Sequence, residues 1–170
     1  MRMALSFDDV LLVPKYSDIL SRKEIEIKQS LKSVGDFSLP IVASPMDTVT
    51  ESDMACAMSV EGGTSVIHRY NTIEEQVAIV ADVVSQGHSV GAAIGVGNDL
   101  ISRSLNLVDA GASFLCIDVA HGHHAKVRYA LEALRNSIGD RVHIMAGNVA
   151  TLEAFNELAD WGADSIRVGI

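Results

Sequence analysis

The chain has 170 residues, 48% of them hydrophobic and 21% charged, with a formal net charge of −9. That is enough for one domain with its own core and excludes a disordered chain. The acidic balance leaves no basic face for nucleic acid, although local backbone dipoles can still hold small anions. No apolar run approaches the roughly 20 residues that cross a bilayer. The start "MRMALSFDDV" also lacks a signal peptide's apolar stretch and cleavage site, so no membrane association and a cytoplasmic location are expected. Cys56 and Cys116 lie in apolar contexts without metal-ligand spacing and read as buried thiols.

Residues 1–40 stand apart: "FDDVLLVPKYSDI" followed by the alternating "EIEIKQSL" predicts an N-terminal extension or hairpin laid against the body of the fold. From residue 41 one pattern repeats, a short β-branched run, then a polar or glycine-rich corner, then a segment of helical periodicity. The runs are "IVAS" (41–44), "TSVI" (64–67), "SVGAAI" (89–94), "FLCID" (114–118), "VHIMA" (142–146) and "SIRVG" (165–169). The amphipathic segments between them each close on a glycine where a C-cap belongs, and Thr72 with Glu75 forms a capping-box pattern.

Alternating strands and helices imply parallel strands joined by right-handed crossovers. The even spacing and the lack of one dominant phosphate loop favour an α/β fold of the (β/α)₈ TIM-barrel type over an open doubly wound sheet. A complete barrel has eight strands and typically about 250 residues. Residues 41–170 therefore read as its first six strands, an incomplete barrel expected to have two open edges and an uncovered apolar interior.

Barrel chemistry collects where strands end at their C-terminal side. Those corners read "SPMDTVT", "HRYN", "GVGND", "DVAHGHH", "GNVAT" and "RVGI". Asp, Asn and Gly also suit turns and helix starts, so a corner residue can be purely structural. His121, His123 and His124 beside Asp118 suggest a metal, but their spacing is not the i, i+4 pair of a helical zinc site, and no metal is expected. Asp118 suits a ribose or amide hydrogen bond. Gly95 and Gly97 lack the third glycine of a dinucleotide fingerprint but let a ligand approach the backbone. His68 reads either as a satisfied structural histidine or as a ring exposed at a strand end. Arg167, inside an apolar strand, needs an anionic partner.

These corners have a family likeness. "SFDDVLLVPKYSDI", "LPIVASPMDTVTESDMACAM", "GGTSVIHR", "VGAAIGV", "DVAHGH", "AGNVAT" and "GADSIRVGI" resemble, in order and over essentially the whole chain, the catalytic barrel of IMP dehydrogenase and its relative GMP reductase. The resemblance implies a tetrameric (β/α)₈ barrel that oxidises IMP to XMP with NAD, aided by a monovalent cation (K⁺). It implies that Ser44 and Met46 contact IMP with Asp47 in support, that Asn148 faces the hypoxanthine and ribose, that Arg167 orders the active-site loop, and that Gly169 borders the nucleotide. His68, Gly95, Gly97, Asp118, Val119 and Ala120 would lie on the cofactor side.

"SPMDTVT" resembles the dehydrogenases, since reductases tend to carry an asparagine before the methionine. Val119 departs toward the reductases, because many dehydrogenases have a hydroxyl residue there. Most dehydrogenases insert paired CBS modules before the third strand, whereas here "EEQVAIVADVVSQGHSVGAAIG" runs straight through, so no CBS domains are expected. Dehydrogenase is favoured, with GMP reductase, or a non-catalytic nucleotide-binding or assembly fragment, as alternatives.

The family's cysteine nucleophile sits on the loop after strand six. In this numbering it falls just beyond Ile170, and neither Cys56 on a predicted helix nor Cys116 within a strand fits the role. The expectation is that no catalytic nucleophile lies in these residues. The chain alone would be inactive, and a C-terminal complement would carry the nucleophile, the cation loop and the last two strands.

Overall fold

The computed structural model describes residue 5 and residues 7–169; Ile170, the last residue of the "VGI" corner, and Ser6, which opens "SFDDV", lie outside them. A short antiparallel hairpin, β1 (Gln29–Leu31) and β2 (Gly35–Phe37), precedes the main body. Five βα repeats and a last strand follow: β3 (Val42–Ala43), α1 (Ser52–Val60), β4 (Thr64–Ile67), α2 (Ile73–Ser85), β5 (Gly91–Ile94), α3 (Leu100–Asp109), β6 (Phe114–Asp118), α4 (Ala125–Ile138), β7 (His143–Val149), α5 (Leu152–Asp160) and β8 (Ser165–Val168). The six strands β3 to β8 pair in parallel and in chain order. They form a curled half-barrel clothed by its helices, as the even spacing of the runs predicts.

The helices stop where glycine lets the backbone turn. Gly62, Gly87, Gly111 and Gly162 have φ between 83° and 108°. The next amide in each case bonds back to the helix: Gly63 N to Met58 O, His88 N to Val83 O, Ala112 N to Leu107 O and Ala163 N to Leu158 O. This is the Schellman closure that the glycines after each amphipathic segment predict. At the start of α2 the Thr72 and Glu75 capping box is fully formed.

Alternation along each strand divides two cores. Ile67, Ala92, Ile94, Leu115, Ile117, Ile144 and Ala146 face the helices, while Val66, Ala93, Phe114, Cys116 and Met145 fill the concave side. Phe114 is completely buried, and its ring occupies the space over Gly91, where a Cβ would fall 2.3 Å from it. Burying such a side chain contributes about 1.5–3 kcal/mol.

Two expectations need correction. The concave interior is not uncovered. The curled sheet and the Phe114 ring close it, and Leu31 and Val34 of the hairpin pack onto it. The hairpin is fixed there by His143, whose Nδ1–H donates to Lys32 O at 2.8 Å while Nε2 accepts from the Ser165 hydroxyl at 2.7 Å. The second correction concerns the extension, of which only the hairpin and the Ser38–Leu39 step after it, where Leu39 N donates to Gly62 O at 3.0 Å, are laid against the body. Residues 8–30 are exposed throughout, with Leu11 and Leu12 more than 90% accessible, because no core of this chain lies within reach of their apolar side chains. The open edges stand as expected: among the described residues β3 pairs with β4 alone and β8 with β7 alone. None of the described helices is long and apolar enough to cross a membrane.

Candidate functional site

The C-terminal ends of the six strands share one rim, and the register sets neighbours on it. Asp118 on β6 lies opposite Gly147 on β7, and Gly147 lies opposite Arg167 on β8. Gly147 has no side chain to stand between its neighbours, and a Cβ there would fall 2.6 Å from Arg167 Cβ. Arg167 Nη1 therefore reaches Asp118 Oδ1 at 2.7 Å and also approaches Cys116 Sγ at 3.6 Å. The carboxylate is the anionic partner that an arginine in an apolar strand requires. Burial pushes the Cys116 thiol up to about 11, with Arg167 only partly offsetting it. A thiol so held is a poor nucleophile near neutral pH.

The corner after β6 is pinned to the end of β7. Val119 N donates to Gly147 O at 3.1 Å, Asn148 N to Val119 O at 2.9 Å, and Gly122 N to Asn148 O at 2.8 Å. Gly122 permits that approach, since a Cβ would lie 2.7 Å from Asn148 O. Asn148 is thereby held half-buried beside the Asp118 and Arg167 pair, while Ala120 is exposed. Gly169, with φ of 147°, donates its N–H to Val149 O at 2.9 Å and ends the rim.

Gly95 and Gly97 line a cavity of about 290 Å³ together with Val96, Arg69, Asp99, Arg103, Val119 and Lys126. A buried polar chain underlies it: Arg103 Nε donates to Asp99 Oδ2 at 2.7 Å, Arg103 Nη1 to Gln76 Oε1 at 2.8 Å, and Gln76 Nε2 to Ala93 O at 2.8 Å. Arg103 holds the Asp99 carboxyl below the usual carboxylate range. Arg69 connects this cavity to the ion pair, donating from Nη2 to Asp118 O at 3.3 Å.

The first corner forms a second group. Ser44 and Met46 are exposed, and the turn closes with Val49 N and Thr50 N donating to Met46 O and the Thr50 hydroxyl to Ser44 O. Asp47 Oδ1 lies 3.9 Å from His68 Nε2, and Glu51 Oε1 lies 3.2 Å from it. His68 is only 2% exposed, so of its two sequence readings its surroundings favour the satisfied histidine. Its Nδ1 accepts from Tyr70 N at 3.3 Å, so the neutral ring carries its proton on Nε2 and donates to Glu51. Asp47, Glu51 and His68 are close enough to share a metal ion, but ligation by Nε2 would move that proton onto Nδ1, against the Tyr70 amide. The arrangement is a hydrogen-bonded clasp.

The histidines of "DVAHGHH" split between two sets of partners, with the His121 ring edge-on to that of His124 at 6.2 Å between centres. His123 bonds Glu157 at 3.0 Å and stacks on Trp161, and His124 caps α4 by accepting from Lys126 N. Sequence reasoning passed over Glu51, Arg69, Arg103 and Lys126, because each looks like an ordinary charged residue until the fold turns it toward the rim.

Comparison with known proteins identifies the family of the chain. Residues 4–170 match the model of the IMP dehydrogenase / GMP reductase domain. The chain is similar to the inosine-5'-monophosphate dehydrogenase of Cryptosporidium parvum, 32% identical over 98% of this chain and 51% of that protein. It is also similar to that of Borreliella burgdorferi, 30% identical over 98% and 53%, and to the GMP reductase of Mesoplasma florum, 29% identical over 98% and 52%. The chain thus spans about half the length of the curated relatives it matches. With the domain model matched from residue 4 to the chain end, the chain belongs to the IMP dehydrogenase / GMP reductase family.

Proposed function

We propose that these residues form the first six βα units of an NAD-dependent IMP dehydrogenase barrel that oxidises IMP to XMP in guanine nucleotide biosynthesis. The observation that carries the reading is the Arg167 to Asp118 ion pair, seated beside Asn148 at the strand ends where barrel chemistry resides. Ser44, Met46, Asn148 and Gly169 bind the substrate side, with Asp47 supporting their corner through the His68 and Glu51 clasp. His68 borders the adenosine end of the cofactor, and Gly95, Gly97, Asp118, Val119 and Ala120 hold the rest of it.

The residues fit a dinucleotide. The Gly95 to Gly97 corner presents bare backbone to the cavity, and Asp118 keeps Oδ2 as an acceptor for a ribose hydroxyl. NAD supplies a hydride acceptor for the C2 hydrogen of the purine. Arg167 anchors Asp118 and leads through Gly169 into the loop beyond Ile170, where the nucleophilic cysteine and the monovalent cation belong. That cysteine would supply the nucleophile for C2, while Asp118, Asn148 and Arg167 of this chain would hold the cofactor and the purine against each other.

The other two βα units come from a complementing segment outside these residues, in the same polypeptide or a second one. The open edges of β3 and β8 and the exposed Ile41, Val42, Leu152, Phe155 and Val168 near the ends of the arc support this reading. The complete barrel assembles as a tetramer in the cytoplasm, and the 170-residue chain alone is inactive. The test is to supply that segment with IMP and NAD and to follow NADH.

A second reading, GMP reductase, has its own support. The match to the Mesoplasma florum reductase runs over 172 residues, close to the chain's own length, whereas the match to the Cryptosporidium parvum dehydrogenase runs over 209. Val119 points the same way. Oxidation of NADPH in the presence of GMP, without NADH formation from IMP, would establish that reading instead.

A further inference from the structure

The cavity beside Gly95 has a charge balance unlike that of the whole molecule. Three basic side chains, Arg69, Arg103 and Lys126, line it against one carboxylate, Asp99. Arg103 is neutralised by Asp99 at 2.7 Å. No carboxylate oxygen lies within 4.0 Å of the Arg69 guanidinium or the Lys126 ammonium among the described residues. Three positive charges less one negative leave two uncompensated charges facing one cavity, in a chain whose net charge is −9.

The Arg69 side chain is also held in place for this task. It rests against Gly95, where a Cβ would lie 3.3 Å from Nη1, so glycine makes room for the guanidinium. The guanidinium stands 5.4 Å from the Tyr70 ring centre and gives one hydrogen bond to a neutral acceptor, Asp118 O. Its buried Nε has no acceptor in the protein. An arginine with unspent donors and a lysine, over a floor of glycine backbone, is the chemistry that recognises phosphate oxygens.

We propose that Arg69 and Lys126 form a phosphate-binding pair in this cavity and read a phosphate of the cofactor. The proposal rests on the cofactor-side reading given above, and deepens it by naming the residues that select for charge. The phosphate is either that of an adenosine 5'-diphosphate moiety or a 2'-phosphate on the ribose, and both carry the same chemistry.

The test is calorimetric titration of the chain with adenosine, ADP and adenosine 2',5'-bisphosphate, for the native sequence and for Arg69→Gln, Lys126→Gln and Arg69→Lys. One of the two phosphorylated probes should bind at least about tenfold more tightly than adenosine, with affinity falling as salt rises. Each Gln variant should lose about tenfold, and Arg69→Lys should recover part of that loss. The better of the two phosphorylated probes tells which phosphate is read. Lys126 is exposed, so Lys126→Gln keeps the fold even if a change at Arg69 disturbs it.

Equal binding of adenosine and both phosphorylated probes, or unchanged affinity in Lys126→Gln with circular dichroism intact, would overturn the proposal. Charge-dependent binding without turnover after the barrel is completed contradicts the proposed function alone. Turnover with cofactor affinity unchanged in both Gln variants contradicts this inference alone.

Discussion

Arg167 on the last strand donates to Asp118 at 2.7 Å across the intervening strand, over a glycine that leaves the path open. The two side chains are 24% and 21% exposed, sheltered enough to matter and wet enough to avoid the full cost of a buried pair. A double-mutant cycle with Asp118→Asn and Arg167→Gln, followed by urea unfolding, should give a coupling of about 1–2 kcal/mol. Strict additivity would mean the pair is incidental.

The glycine between them should be intolerant of a methyl group. Gly147→Ala places a Cβ against Arg167 Cβ and its carbonyl oxygen, neither of which is the free end of a flexible side chain. A loss of about 1–3 kcal/mol is expected. Gly91→Ala should cost a similar amount through the Phe114 ring, and adding Phe114→Leu should return part of it. A double variant less stable than the sum of the singles would show that the ring is not the obstacle.

Acid should loosen the seam between the last two strands. Asp164 accepts from Ile144 N at 2.8 Å and from Arg135 at 2.5 Å. Burial opposes its charge, but these donors outweigh burial and hold the carboxyl below its ordinary 3.8. A depressed folded value means the contribution is whole above the unfolded value and fades as pH falls below it. Asp99, lowered by its hydrogen bond from Arg103, acts in the same direction. Urea midpoints should therefore drop as pH falls below about 4, and Asp164→Asn should flatten that slope while lowering stability at neutral pH. An unchanged slope in that variant would remove Asp164 from the explanation.

The two thiols should differ in reactivity. Cys116 is buried with its pKa raised to about 11, while Cys56 on α1 is partly accessible. With iodoacetamide at neutral pH, mass spectrometry should find Cys116 unlabelled in the folded chain and labelled once urea unfolds it. Rapid labelling of Cys116 in the native state would contradict the packing described here.

The repeating order of strands and helices was legible because each amphipathic segment ends in a glycine and each β-branched run is short. β4 and β6 coincide with the runs read from sequence, and the other strands differ by a few residues at their ends. The polar corners were legible as well, since a barrel puts the residue after each run on the rim. What could not be read was who meets whom across strands. Alternation assigns Arg167 to a face but not to Asp118, because that contact depends on register over two ladders and on Gly147 lying between. Glu51 reaches His68 through the turn after β3, and Arg69 and Lys126 meet at one cavity only once the corners after β4 and β6 converge on the end of β5 between them. Residues 8–30 are a further case: their apolar pattern predicts packing, but pattern alone does not say against what, and in this structure they are exposed.

The central claim is that this half-barrel holds the nucleotide-binding strand ends and becomes a dehydrogenase when the remaining strands and the cysteine are supplied. The direct measurement is NADH formation from IMP and NAD by the 170-residue chain alone, with the completing segment, and with that segment and Asp118→Asn. The expected result is no NADH from the chain alone, steady NADH from the completed barrel, and a rate lower by about 10–100-fold in Asp118→Asn. A completed barrel, folded by circular dichroism, that neither forms NADH from IMP nor consumes NADPH with GMP would contradict the account, and so would turnover by the isolated chain.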